Sequence, residues 1–239
     1  MTLAILQARM SSSRLPGKVL ADVAGAPMIL RQIERVRRAK RVSRLIVATS
    51  IRSDDDPLVQ ALVGAGVEVV RGDLDDVLSR FILALDAASD QTVAVRLTAD
   101  CPLADPTVID AAIARFEQTG ADYVTSGGDT RTFPKGLDTE VFKTDALRQA
   151  HAETADPYDR EHVTPFIYRH PERFSLGALT QDRAEGDVRW TVDRPDDLEF
   201  VRAVYAALYP AHPDFTSDDV RAFVAGRPDL TTLGGDPRV

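Results

Sequence analysis

The chain has a single cysteine, Cys101, among 239 residues, so no internal disulfide can form. The first residues also lack the lysine-led apolar segment of a secretory leader, and a reducing cytoplasm is the expected location. An excess of positive charge is missing as well: 29 Lys and Arg stand against 37 Asp and Glu, for a net charge of −8. Nonspecific binding of nucleic acid or of an anionic membrane surface needs a basic face, and this balance argues against both. No apolar run approaches the roughly 20 residues that a membrane helix requires. There is no internal repeat, low-complexity tract or interdomain linker, and no Gly-Lys preceded at Walker spacing by a second glycine. A small anionic ligand remains open if positive charge is gathered locally.

It is gathered in the first twenty residues. Leu3, Ala4, Ile5 and Leu6 form the kind of apolar run that makes a buried parallel strand. A polar loop follows, carrying Arg9, Ser11, Ser12, Ser13, Arg14, Gly17 and Lys18. Guanidinium forks and a lysine point charge, on a backbone loosened by Gly17 and directed by Pro16, suit a polyanion of triphosphate size. Arg and Lys after a strand are also ordinary solvated loop residues, and spacing alone leaves both readings open.

At 239 residues the chain can hold one α/β domain with a full core. A helix is expected over Ala26–Arg41, with Met28, Ile29, Ile33 and Val36 inward and Arg31, Arg35, Arg37 and Arg38 on a solvated face. Strands are expected at 45–50, 67–72, 93–98, 121–125, 137–142 and 188–193. Helices are expected at 58–64, 73–90, 106–120, 144–154, from 159, at 200–209 with Pro195 suiting a first turn, and at 218–225. Asp54, Asp55 and Asp56 are read as complementing a helix N-terminus. Asp76 and Arg80 fit an ion pair at helical spacing. Gly127–Gly136 reads as a mobile rim, and 231–239 as a fraying tail. Strand–helix repetition predicts a parallel sheet with ligands at the carboxyl ends of its strands, where Asp100 falls. Cys101 reads as a small packing residue, since its neighbours suggest no base. His162, beside Arg160 and Glu161, reads as a general base, a substrate-fixing network or a core histidine.

The run Q-A-R-M-S-S-S-R-L-P-G-K-V-L from Gln7 to Leu20 resembles the nucleotide loop of the cytidylyltransferases that activate sugar acids, the acylneuraminate and 3-deoxy-manno-octulosonate enzymes among them. It is most similar to the branch named for spore coat polysaccharide biosynthesis protein F. Three further elements resemble the same branch in order: R-L-T-A-D-C-P-L, F-P-K-G-L-D-T-E-V-F and W-T-V-D-R-P-D-D-L-E. The resemblance implies a three-layer α/β/α fold with a mostly parallel twisted sheet, of the nucleotide-diphospho-sugar transferase type. It implies one nucleotidyltransferase domain over 1–239, with an insertion at 129–185 for acceptor binding and dimerisation, and a homodimer. The implied nucleotide side is Leu6, Gln7, Ala8, Arg9, Ser13, Arg14, Lys18, Arg80 and Thr98. There Arg14 and Lys18 hold the CTP phosphates and backbone near Leu6–Ala8 reads the base. Asp100 and Asp193 are the implied ligands of Mg²⁺ and, with Arg14 and Lys18, the catalytic set. Lys135, Asp138, Glu140, Arg160 and His162 fall on the acceptor side, although Asp138 and Glu140 also read as outward acids on an edge strand.

Attack of an oxygen nucleophile on an α-phosphate needs charge neutralisation, in-line placement and a good leaving group, and these residue types supply the first and support the third. The implied function is transfer of CMP from CTP to a sugar acid for surface polysaccharide biosynthesis. The octulosonate enzymes carry a Ser-Gly-Thr-Glu-Arg type segment after the third strand, where this chain has Arg71-Gly72-Asp73-Leu74-Asp75-Asp76; a nine-carbon acid or another polysaccharide sugar fits equally. A glycosyltransferase or sugar-1-phosphate nucleotidylyltransferase of the same fold is the alternative, and a noncatalytic nucleotide-binding protein ranks behind both.

Overall fold

The computed structural model describes residues 2–129 and 131–239; Thr130, within the expected glycine-rich rim, lies outside them. In chain order the strands are β1 (Thr2–Gln7), β2 (Asp22–Val23), β3 (Ala26–Pro27), β4 (Val42–Ser50), β5 (Glu68–Gly72), β6 (Val93–Thr98), β7 (Tyr123–Thr125), β8 (Glu140–Lys143) and β9 (Leu176–Ala178). The helices are α1 (Met28–Val36), α2 (Asp56–Gly64), α3 (Val77–Ala87), α4 (Pro106–Thr119), α5 (Thr144–Glu153), α6 (Pro157–His162), α7 (Pro165–Tyr168), α8 (Pro195–Leu208) and α9 (Ser217–Ala225).

Seven strands form one sheet in the order β5-β4-β1-β6-β8-β7-β9. All neighbours pair in parallel except β8, which is antiparallel to both β6 and β7. Strand β1 lies inside the parallel part and is buried on both faces, which is why its sequence is continuously apolar. Ala4 and Leu6 pack with Ile29 and Ile33 of α1 and Ile109 and Ile113 of α4. Leu3 and Ile5 face the opposite layer, with Leu78 and Phe81 of α3 and Leu147 of α5. Helices therefore cover both faces in three α/β/α layers. The 129–185 segment contributes β8 inside this sheet and β9 at its edge.

Several elements differ from expectation, each for a tertiary reason. Arg35 is 2% exposed rather than solvated. Its Nε donates to the Ala104 carbonyl at 2.8 Å and its guanidinium lies over the Phe215 ring, so a cation with a π-face and a carbonyl replaces water. The 188–193 segment keeps the alternation of a strand, with Val188, Trp190 and Val192 buried, yet it joins no sheet. It meets the rest of the chain through a bridge to Lys135 and packs into a third cluster with α8 and α9. The 231–239 segment does not fray. Arg238 is fully buried, Trp190 Nε1 donates to its carbonyl at 2.8 Å, and its guanidinium pairs with buried Asp197 at 2.8 Å. Glu140 does not sit on an edge strand, because β8 is flanked on both sides.

Gly136 is placed by a close approach: its φ is +113°, and a Cβ there would meet the Trp190 carbonyl carbon at 2.9 Å and the Thr191 nitrogen at 3.0 Å. Gly136→Ala should cost roughly 1–3 kcal/mol of stability through strain and backbone collision, read as a lowered Tm. Asp197 sets a pH dependence. Burial raises its carboxyl pKa, but hydrogen bonds from Arg189, Arg238 and the Asp193 and Arg194 amides outweigh burial and hold it well below the ordinary 3.8. A depressed carboxylate contributes stability above its unfolded value and loses it as pH falls through the folded one. The Tm should therefore be flat at neutral pH and fall below about pH 4, and Asp197→Asn should lower the neutral plateau and flatten that acid limb.

Candidate active site

The chain leaves β1 for β4 and β5 on one side, then returns to β6 on the other side of β1. Between the carboxyl ends of β1 and β6 the connections diverge, and a crevice opens at this switch point. A cavity of about 370 Å³ lies there, lined among others by Gln7, Ala8, Arg9, Ser13, Arg14, Lys18, Arg80, Arg96, Thr98, Asp100, Glu161, His162 and Asp193.

The loop after β1 is shaped by its own backbone and by one buried acid. The Gly17 and Ser12 amides donate to the Met10 carbonyl at 2.9 Å, and Gly17 turns with φ +74°. The Met10 amide donates to Asp55 Oδ1 at 2.6 Å, while Asp55 Oδ2 takes the Ser50 amide at 3.2 Å. Asp55 is 1% exposed and ties the loop to the end of β4, a role beyond the helix-dipole function its acidic run suggested. The turn at Gly17 sends Lys18 inward. Its ammonium donates to the Val192 carbonyl at 2.6 Å and to Asp193 Oδ1 at 3.0 Å, and lies 3.7 Å from Asp100 Oδ2.

Asp100 and Asp193, 93 positions apart in sequence numbering, thus face one point. Arg14, largely exposed, reaches the same Asp193 oxygen at 2.8 Å, and Arg189 Nη2 holds the other at 2.7 Å. Burial raises the Asp193 pKa, but Lys18, Arg189 and Arg14 together bring it below the usual value. Asp100 Oδ1 accepts the Thr98 hydroxyl at 2.6 Å. Cys101 is buried, and burial followed by the Asp100 charge pushes its thiol well up, so it is a packing residue and a poor nucleophile.

Arg80 is 2% exposed, with Nε and Nη1 buried and, among the described residues, without hydrogen-bond partners. Burial and the neighbouring Arg9 charge lower its pKa, so the two guanidiniums form a cationic wall that an anion or base carbonyl could satisfy. The expected alternative, a pair with Asp76, does not form: Asp76 caps α3 through the Ser79 amide and pairs with Arg160 at 3.3 Å.

The residues expected on the acceptor side divide. His162 lines the cavity, its ring 4.3 Å from that of Tyr158, and the following Val163 is held at φ +72°, strained for a β-branched residue. Lys135, Asp138, Glu140 and Arg160 do not line it. Lys135 is bridged through its backbone to Arg189, and Asp138 pairs with Arg131 and accepts the Gly136 amide. Arg160 is consumed by the His151 and Thr154 carbonyls and Asp76. Glu140 accepts Tyr123, Thr164 and Arg96 together. Arg96, which pairs with Glu140 and donates to Gln7 Oε1 at 2.9 Å, is the member of that network in the cavity wall. It escaped the sequence reading, although an arginine interrupting the apolar strand V-A-V-R-L-T marks a charge that needs a partner. Leu6, expected on the nucleotide side, is fully buried in the sheet and does not line the cavity.

The sequence profile of the family described as cytidylyltransferase matches residues 3–223. The chain is 33% identical to spore coat polysaccharide biosynthesis protein SpsF of Bacillus subtilis, over 95% of each chain. It is 36% identical to 3-deoxy-manno-octulosonate cytidylyltransferase of Mesorhizobium japonicum, over 87% of each. A solved cytidylyltransferase of Leptospira borgpetersenii superposes with a TM-score of 0.88 at 27% identity, covering 96% of this chain and 95% of that one. Among the described residues no helix is long and apolar enough to cross a membrane. Profile and relatives agree: the chain belongs to the cytidylyltransferase family and is a nucleotidyltransferase.

Proposed function

We propose that the protein transfers CMP from CTP to a sugar acid with release of pyrophosphate, in the assembly of a surface polysaccharide. The observation that carries this reading is the convergence of Asp100 and Asp193 on the Lys18 ammonium, at 3.7 and 3.0 Å, beneath a loop that adds Arg9 and Arg14. The relatives named for octulosonate activation and spore-coat polysaccharide support the acceptor class.

Two carboxylates directed at one cation are hard oxygen donors that suit Mg²⁺, which takes few ligands from protein and the rest from substrate and water. Among the described residues no set of three or more His, Cys, Asp or Glu forms a richer metal site. Asp100 and Asp193 would hold the ion, which when bound supplies neutralisation of phosphate charge and polarisation of the acceptor hydroxyl. Lys18 and Arg14 then pair with phosphate oxygens and stabilise departing pyrophosphate. The Arg9 and Arg80 guanidiniums serve the nucleotide end of the cavity, and backbone near Gln7 and Ala8 reads the base. On the acceptor side Arg96 and His162 bind and orient the sugar acid, with Glu140 fixing Arg96. The same reading includes a homodimer, supported by exposed Tyr168 and Leu176 near the β9 edge.

Pyrophosphate release from each nucleoside triphosphate, with Mg²⁺ and a panel of sugar acids and sugar phosphates, tests the reaction. Release with CTP and a sugar acid is expected; release only with a sugar 1-phosphate, or none while CTP binds, would overturn the acceptor class or the activity. Asp100→Asn and Asp193→Asn should each lower kcat by at least about 100-fold, in the range typical for lost electrostatic transition-state stabilisation. Intact Mg²⁺-dependent turnover in both would remove the metal assignment.

A further inference from the structure

We propose that Arg238, acting through Asp197, is a positioning residue for the Asp193 carboxylate, so that the 231–239 segment completes the nucleotide site without touching it. The inference rests on the reading of Asp193 as a metal ligand. The chain of contacts is continuous. Arg238 is fully buried and donates through Nη2 to Asp197 Oδ1 at 2.8 Å and through Nη1 to the Arg189 carbonyl at 2.7 Å. Asp197, itself fully buried, accepts on Oδ2 the amides of Asp193 at 2.9 Å and Arg194 at 2.8 Å. Arg189 Nη2 bridges Asp197 Oδ2 at 3.1 Å and Asp193 Oδ2 at 2.7 Å. The backbone of residue 193 and one of its carboxylate oxygens are therefore both fixed by groups that Arg238 holds in place.

The segment is built to reach this point. Gly234 has φ +71°, and a Cβ there would lie 2.8 Å from the Asp196 Cβ, so only glycine lets the turn seat against α8. The Arg189 amide donates to the Pro237 carbonyl at 2.9 Å and Trp190 Nε1 to the Arg238 carbonyl at 2.8 Å, which clamps the segment along residues 189–190. Asp100 is held by a different set: its carbonyl accepts the Val192 amide at 2.8 Å, its Oδ1 meets the Thr98 hydroxyl and the Cys101 thiol, and its Oδ2 faces Lys18 at 3.7 Å. Rigid support behind a ligand conserves its geometry for the ion, and its loss typically costs 10–100-fold in metal affinity.

The sign of the effect separates positioning from simple charge. Removing a positive charge near the site would, by Coulomb's law, tighten cation binding; loss of alignment would weaken it. The test is the Mn²⁺ affinity of the protein–CTP complex, followed by water-proton relaxation, together with CTP affinity in EDTA and the Tm, for wild type, Arg238→Met, Arg238→Lys and Asp193→Asn. Arg238→Met should weaken Mn²⁺ binding by about tenfold with CTP affinity in EDTA unchanged, and Arg238→Lys, which keeps the charge beside Asp197 but gives up the bond to the Arg189 carbonyl, should fall between. Wild-type Mn²⁺ affinity in Arg238→Met, whatever its Tm, would overturn the proposal; should that variant not fold, wild-type affinity in Arg238→Lys would do the same. Undiminished Mn²⁺ affinity in Asp193→Asn would instead overturn the metal reading itself, and the positioning role with it.

Discussion

The Lys18 ammonium is the contact on which the site depends. It is a nearly buried charge, 9% exposed, and burying a charge is costly unless it is paired and hydrogen-bonded. Its partners are the Val192 carbonyl and Asp193, which lie 174 and 175 positions away, and Asp100 beyond them. One cation thereby joins the loop after β1, the end of β6 and the segment entering α8. Without it two carboxylates would face each other across a partly desolvated crevice, and their repulsion would spread the site.

The rest of the molecule can be understood as support for that junction. The switch between β1 and β6 opens the crevice, and Asp55 ties the loop to β4. The antiparallel β8 lies beside β6 in a register that pairs Arg96 with Glu140, and these two form a partly buried ion pair next to Gln7. A pair withdrawn from water in this way persists because its remaining valences are met: Glu140 also takes the Tyr123 and Thr164 hydroxyls. The opposing charge arrangement at Arg9 and Arg80 is different. Arg9 and Arg80 both line the cavity, and among the described residues the buried Nε and Nη1 of Arg80 have no hydrogen-bond partner, an exception to the general pairing of buried polar groups.

Much was legible from local pattern. The amphipathic helices, the buried β1 run, the cationic loop and the turns bearing Asp100 and Asp193 each announce themselves within about ten residues, the range over which periodicity and turn chemistry act. The cavity accordingly holds most of the residues that the sequence singled out for the nucleotide. Those expected to meet the acceptor were less legible. Alternation over 137–142 marked Asp138 and Glu140 as sharing one face, but could not say that β8 would be covered on both sides.

What the sequence determined by itself is which residues are apolar, which carry charge and with what period they recur. These properties set the α/β class and drew attention to the first loop. What only the tertiary structure decided is the partner of each charge. Arg35 found a ring and a carbonyl, the 188–193 run found a helical layer instead of a sheet, and Arg238 found Asp197 41 positions away. A periodic pattern reports that a face will be covered; what covers it is settled by chain topology, because burial energies act between surfaces regardless of their distance along the chain.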